Sequence, residues 1–367
     1  MKFIIAYLLT LLAFALVGQT TFFRTFDVQN HSSDRGWDLL IDEGGFVIAT
    51  GSLCWENIEP SCTGLIKCDF NGDFLWKRTY EGFIEAPVNC LLILEDGNYA
   101  MTGNVYQGNP GDGVIFLMKI DKTNGDSLWI KYYNSPAADA SNSLSRLPDG
   151  SFVIYADGNS SGDFMNNKSM IKTTSAGDLT FHKDYMDDFR ESLWGNLEVL
   201  KNGDLLSGYK VWTWDDNEPW TALTKYDSLG NELWTKRYYK STNISPPYVR
   251  ILSDETYGLF CSRDTFIPGC GCPVYLSFMK IDTIGTVIGE YEIYRGDYYS
   301  YLNNVVLDSD GNILGAGNTY LEEIEEWAGW LIKISPQGQI LWQRFFWEKS
   351  LAPGNVFWFE DIEPTPW

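Results

Sequence analysis

The chain has two histidines in 367 residues, and 27 lysines and arginines against 49 aspartates and glutamates. Each shortage excludes something. His31 and His182 have no cysteine or second histidine at metal-ligand spacing, and His182 falls inside a strand-like segment. Neither a zinc site nor a serine–histidine–carboxylate triad therefore has a signature. A formal net charge of −22 argues against nucleic acid as a partner, because phosphate backbones require a basic surface. No phosphate-cradling loop or dinucleotide fingerprint occurs, and no cofactor or metal is expected. Past residue 20 no apolar run is long enough to cross a bilayer. The apolar run Phe3 to Val17 behind Lys2 is short for a full span and reads as a secretory signal peptide over residues 1–18. It points to a secreted or cell-surface protein, extracellular or periplasmic.

Cysteine is sparse and unevenly placed. Seven remain after the signal segment, an odd number, so at least one is a thiol or an intermolecular partner. In an oxidising setting the simplest bridges are local: Cys54 with Cys62, and Cys261 with Cys270 or Cys272. Cys68 and Cys90 either bridge neighbouring repeats or stay buried as thiols. Two thiolates in Cys270-Gly271-Cys272 do not complete a tetrahedral metal site.

What the chain has in quantity is repetition. A unit of about 53 residues recurs six times. Its marks are a lysine (Lys67, Lys119, Lys172, Lys225, Lys280, Lys333) and, nine or ten residues on, a strand with an aromatic, a basic and a second aromatic residue in alternation. Those strands read Trp76/Arg78/Tyr80, Trp129/Lys131/Tyr133, Phe181/Lys183/Tyr185, Trp234/Lys236/Tyr238 and Trp342/Arg344/Phe346. The fifth copy lapses at Gly289, where tryptophan is expected. Asx-Gly or X-Gly turns separate the strands, among them Asp96-Gly97, Asn124-Gly125, Asp149-Gly150, Asn202-Gly203 and Asp310-Gly311. Such turns between alternating strands signal hairpins. Four antiparallel strands repeated at a fixed period are the blade of an all-β propeller. Residues 19–367 read as one propeller domain with repeats at about 35–80, 86–133, 137–185, 191–239, 245–294 and 298–346. The recurrent aromatics are expected to pack each blade on the next.

The ends bear on closure. Phe22, Arg24 and Phe26 fit the outer-strand pattern, and residues 356–367 resemble a first strand and the start of its turn. Six full blades plus an incomplete seventh, built from 21–26 and 356–367, is the expectation. The alternative is a closed six-bladed ring with both ends peripheral.

Repeats such as Leu117-Met-Lys119-Ile-Asp121…Gly125-Asp-Ser-Leu-Trp129 resemble the secreted β-propeller repeat proteins of Bacteroidota, within the quinoprotein-like superfamily. That resemblance covers about Thr21 to Trp367 and implies export and a surface role. No C-terminal sorting domain of the kind those proteins carry is visible. The adjacent cysteine pair of some quinone enzymes is absent, so the cofactor is not carried over.

Chemistry is sought where the repeat varies. Asp308-Ser-Asp310-Gly-Asn312 opens like a calcium loop but lacks the distal glutamate. The loops between second and third strands carry aromatics and carboxylates: Trp55, Tyr106, Trp212, Trp214, Asp216, Trp220, Glu322 and Trp327. Gathered on one rim they suit a glycan or an extracellular protein partner; otherwise they pack as small local cores. The leading expectation is a non-enzymatic binding or scaffold module, monomeric or part of a larger surface protein. The alternative is a glycan-active hydrolase using loop carboxylates. A quinone-dependent oxidoreductase ranks last.

Overall fold

The computed structural model describes residues 33–53, 63–80, 88–106, 113–134, 140–158, 167–185, 189–213, 219–240, 247–264, 274–296, 300–321, 323, 325–347 and 359–364. Within them lie six antiparallel sheets, each of four strands consecutive in the chain. Blade one is β1 (Ser33–Asp42), β2 (Gly45–Leu53), β3 (Thr63–Cys68) and β4 (Phe74–Tyr80). Blade two is β5 (Val88–Ile93), β6 (Tyr99–Tyr106), β7 (Gly113–Ile120) and β8 (Ser127–Asn134). Blade three is β9 (Ala140–Arg146), β10 (Phe152–Gly158), β11 (Asn167–Thr173) and β12 (Leu179–Tyr185). Blade four is β13 (Phe189–Val199), β14 (Leu205–Thr213), β15 (Trp220–Tyr226) and β16 (Glu232–Lys240). Blade five is β17 (Tyr248–Ile251), β18 (Tyr257–Asp264), β19 (Val274–Ile281) and β20 (Val287–Gly296). Blade six is β21 (Ser300–Leu307), β22 (Ile313–Leu321), β23 (Glu326–Ile334) and β24 (Ile340–Phe346). The molecule is an all-β, six-bladed propeller. First strands of successive blades neighbour one another, from β1 round to β21, and so line the axis.

Side-chain alternation builds the core between blades rather than within them. In blade two, Met101, Phe116 and Met118 pack back on Leu40, Ala49 and Leu65 of blade one. The residues between them, Ala100, Ile115 and Leu117, pack forward on Leu144 and Ile154 of blade three. The third strand is covered on both faces; β3 is buried at every position, whereas the outer strand β4 is largely exposed.

Five of the six periodic lysines pair within their own blade, whereas Lys172 donates to Ser228 O of blade four at 3.1 Å. Lys67 meets Asp42, Lys119 meets Asp96 at 2.6 Å, Lys280 meets Asp254 at 2.5 Å and Lys333 meets Asp308 at 2.6 Å. Two residues beyond each lysine, an oxygen-bearing side chain caps the next turn. Asp69 accepts from Asn71 N and Asp73 N, and Asp227 accepts from Leu229 N and Asn231 N, all within 2.9 Å. Asp308, read as the start of a calcium loop, caps its turn in the same manner, accepting from Asp310 N and Asn312 N.

The outer strands of blades one to five then seat on the turn of the following blade. Tyr80, Tyr133, Tyr185 and Tyr238 donate their hydroxyls to the carbonyls of Gly125, Gly177, Gly230 and Gly285, at 2.8, 2.7, 2.7 and 3.1 Å. These glycines have φ between 73° and 87°. A β-carbon at Gly177 would also come within 2.8 Å of Trp129. In blade five the seat survives the loss of tryptophan. Tyr291 stacks on Phe278 at 5.4 Å and fills the space against Gly338, so β20 is a full strand.

No seventh sheet, complete or partial, exists among the described residues, which corrects the expectation of an incomplete seventh blade. Residues 359–364 join no ladder. They are held instead by side chains: Asn303 Nδ2 donates to Phe359 O at 2.8 Å, and Asp361 accepts from Leu39 N at 2.6 Å. With no strand beside it, a segment fixed this way forms no blade. The signal peptide, residues 21–26, and 356–358 and 365–367 lie outside the described residues.

The seat yields a paired test. Gly177→Ala combines a left-handed backbone with a clash against Trp129, whereas Gly203, at φ 85°, meets nothing nearer than Ser228 Cβ at 3.6 Å. Gly203→Ala should cost roughly 1 kcal/mol in urea unfolding, and Gly177→Ala clearly more, about 2–4 kcal/mol. Equal losses would contradict the role given to the seat.

Candidate functional site

Near the axis, the inner strands share a local device. The ladder between first and second strands slips by a residue at Gly36/Asp38, Val88/Cys90 and Leu302/Asn304, and a comparable slip occurs in blades three and four. A bulge re-aims the following side chain. That side chain is Asp38, Cys90, Ser143, Asn196 or Asn304, and each reaches the next inner segment. Asp38 accepts from Leu91 N, Cys90 donates to Leu144 O at 3.4 Å, and Ser143 accepts from Leu197 N at 3.4 Å. Asn196 both donates to Val249 O at 2.9 Å and accepts from Val249 N at 2.8 Å. Asn304 donates to Asp361, and Asp361 in turn accepts from Leu39 of blade one. The circuit around the axis therefore runs through six blades and closes on the segment 359–364.

That closure brings carboxyl groups together. Leu39 N points at both Asp38 Oδ1, at 2.9 Å, and Asp361 Oδ2, at 2.6 Å. Burial and the neighbouring Asp361 push the Asp38 carboxyl well above its usual range. Both carboxyl groups accept from the one Leu39 N–H, so each stands in the other's field. Glu363 stands two residues further along. Burial, helped by the charge of Asp361 and opposed by Arg250, raises it to about 7.

A single arginine braces the cluster. Arg250 donates through Nε to Val305 O, through Nη1 to Glu198 Oε1 at 2.7 Å and through Nη2 to Asn304 Oδ1 at 2.9 Å. It thus ties the inner strands of blades four, five and six. Burial raises the Glu198 carboxyl, and Arg250 opposes the shift. Tyr248, raised chiefly by burial, feels the charges of Arg250, Asp361 and Glu360. Cys90, likewise raised by burial, feels Asp38, Asp361 and Arg250. Residues from five blades and from 359–364 are therefore electrostatic neighbours. Among the described residues no group of three side chains is arranged to hold a metal ion.

The aromatic rim read from the loops is not assembled in what is described. Trp55, Trp214, Asp216 and Glu322 lie outside the described residues, as do Cys54, Cys62, Cys270 and Cys272. Tyr106 ends β6 and Trp212 lies near the end of β14. Trp220 packs on Tyr209, Val211 and Ala222 of its own blade. Trp327 packs on Tyr320, ring centroids 5.8 Å apart, and on Tyr301, 6.2 Å apart, both of its own blade. Cys261 is buried in the core between blades four and five, and Cys68 and Cys90 are free thiols.

His182 meets Asp184 at 2.9 Å, and Ser169 donates to the same carboxylate at 2.6 Å. The carboxylate sits between serine and histidine, so the histidine cannot take the serine proton as a triad requires.

The axial residues lie on inner strands, outside the variable loops on which the sequence expectation rests. Their signal was available: polar side chains at one register position, Asp38, Cys90, Ser143, Asn196 and Asn304, spaced like the lysines.

No protein-family model and no curated protein matches the chain. Solved structures do. A protein of unknown function from Dyadobacter fermentans aligns with a TM-score of 0.50 at 10% identity, over 85% of this chain and 94% of that one. A PL25 polysaccharide lyase, an ulvan lyase bound to a GlcA–Rha3S saccharide, aligns with a TM-score of 0.55 at 6% identity, over 85% of each chain. A puromycin hydrolase aligns with a TM-score of 0.51 at 10% identity, over 80% of this chain but only 44% of its own. What is shared is the propeller fold.

The raised carboxyl makes stability depend on pH. Glu363 titrates at about 7 folded against 4.5 free, so the folded chain holds the extra proton between those values. Its favourable contribution is fully present below about 4.5 and is lost as pH rises through about 7. Glu363→Gln imitates the protonated form. Its stability advantage over the wild type should widen from pH 5 to pH 8, by roughly 3 kcal/mol at most. Parallel profiles in chemical denaturation at the two pH values would count against the burial of this carboxyl.

Proposed function

We propose that the protein is a glycan-active hydrolase whose working carboxyl groups stand at the propeller axis rather than on the loops. The observation that carries this reading is Glu363, a carboxyl that holds its proton near neutral pH beside the Asp38–Asp361 pair. Glycoside hydrolysis needs one carboxylic acid to protonate the leaving oxygen and a second group to stabilise or attack the sugar carbon. Environments that push neighbouring carboxyls apart in pKa supply that division of labour. Glu363 is the proton donor. As the glycosidic bond breaks, Glu363 gives its proton to the leaving oxygen and negative charge at Asp38 and Asp361 stabilises the developing oxocarbenium ion; water then adds to the sugar carbon and returns a proton to the Glu363 carboxylate. Two residues of chain separate Asp361 from Glu363 by no more than about 7 Å between α-carbons.

Charge narrows the substrate. The axis gathers Asp38, Asp361, Glu363, Glu360 and Glu198 around one Arg250. An anionic polysaccharide would meet repulsion there, so an uncharged glycan is the favoured class. Support from fold is limited to the blade arrangement shared with a polysaccharide lyase. A carboxyl titrating near neutral pH suits an acid catalyst.

The purified protein should release reducing ends from uncharged polysaccharides such as arabinan, xylan or β-glucan. Activity should fall above about pH 7 as Glu363 loses its proton. Glu363→Gln should lower kcat by about a hundredfold or more while leaving the melting temperature at pH 5 unchanged. Saturable glycan binding with no turnover would sink the hydrolase reading and leave the non-enzymatic binding module in its place.

A further inference from the structure

The sixth blade presents a face that every other blade hides. At one register of the third strand, Leu65, Met170, Leu117, Leu223 and Phe278 are each fully buried by the following blade. Leu331, at the same register of β23, is partly exposed. The outer strand differs likewise. Tyr80 and Tyr133 are 7% and 6% exposed, whereas Phe346 at their position is 41% exposed and has no hydroxyl to donate. Beside it Trp342 is 37% and Trp347 49% exposed. Among the described residues, Phe359 covers one corner of this face, edge-on to Phe346 at 5.1 Å and against Gly329.

The five completed junctions define what such a face receives. Each takes the hairpin between a third and a fourth strand, with a glycine pressed on the aromatic residues. In the first three, the residue after that glycine meets the basic side chain. Arg78 pairs with Asp126, Lys131 with Asp178 at 3.0 Å, and Lys183 donates to Asn231 at 2.7 Å. Arg344 holds the same place in β24, is exposed, and donates to the carbonyl of its neighbour Gln343 at 3.2 Å. The surface is therefore continuous with an interface the molecule already uses five times, and its charge calls for an acidic or amide residue after the glycine.

We infer that the open face of blade six, formed by Leu331, Trp342, Arg344 and Phe346, docks a β-hairpin of a second polypeptide whose turn reads Gly-Asp or Gly-Asn. The glycine rests on Trp342 where a β-carbon could not, and the following carboxylate or amide meets Arg344. This site is independent of the chemistry at the axis.

The probe is a cyclised peptide with the sequence of this chain's own hairpin, Val114 to Tyr133, which carries Gly125-Asp126. Cyclisation is needed because an isolated hairpin is marginal in water. Titrated into the full chain in a calorimeter, it should bind one to one. Arg344→Glu should weaken it by about tenfold or more, and a peptide with Asp126→Lys should recover most of that loss against the same variant. Arg344 is exposed, so the variant should fold, as its circular dichroism and melting temperature will show. No binding, or binding indifferent to Arg344→Glu, overturns the proposal. Sedimentation showing a dimer that Arg344→Glu abolishes also overturns it, by making a second copy the occupant.

Discussion

The contact on which the rest of the structure depends is a glycine turn pressed against an aromatic outer strand. At that point two constraints coincide. The hairpin needs a residue at positive φ, and the preceding blade needs the turn to approach without a side chain. Glycine satisfies both, and the tyrosine hydroxyl takes the carbonyl that the turn leaves free, as Tyr133 does with Gly177. Because the contact is head to tail, every blade has a giving edge and a receiving edge, and the array has a direction. Stability is then a chain of nearest-neighbour terms. The lysine and the turn-capping carboxylates serve the same contact one step removed, since they fix the hairpin that is offered.

Stacking of this kind sends the inner strands toward a common axis, where side chains from blades far apart in sequence become neighbours. The bulge in the first strand turns a polar residue toward the next blade at almost every step. Where that residue is serine or asparagine the result is a structural bond. Where it is aspartate, at Asp38 and again at Asp361, closing the ring places two like charges on one N–H group. The same bond that completes the circuit therefore gathers the carboxyl groups, and the charge of Asp361 adds to the burial that raises Glu363.

The period of 53 residues made the blades legible, because each turn and each outer strand follows from local rules: positive φ, alternation and a buried shared face. Even blade five could be placed by Lys280, although Tyr291 had replaced tryptophan as the seat. The axial chemistry was harder to see. Asp38 lies beside a bulge, and a one-residue slip reverses which way a strand residue points, so alternation misassigns it. Arg250 and Glu363 matter through contacts across the ring, which no local pattern encodes. The aromatic loop residues drew attention for their composition, yet Trp220 and Trp327 spend their surface on their own blades. Residues 356–367 were read as a broken blade because they match a first strand. The described part, 359–364, keeps the position of such a strand at the axis while having no ladder partner, so its hold comes from Asn303, Asn304 and Leu39.

That short segment joins the two ends of the problem. Phe359 lies against Gly329 and Phe346 on the open face of blade six, and two residues later Asp361 reaches the axis. A polypeptide seated on Trp342 and Phe346 would bury the ring of Phe359 further and restrict its rotation. Asp361 is held by Leu39 and Asn304, and its charge is part of the field felt by Glu363. Elsewhere a hairpin meets an outer strand at each junction; here the segment 359–364 is what links the face of blade six to the axis.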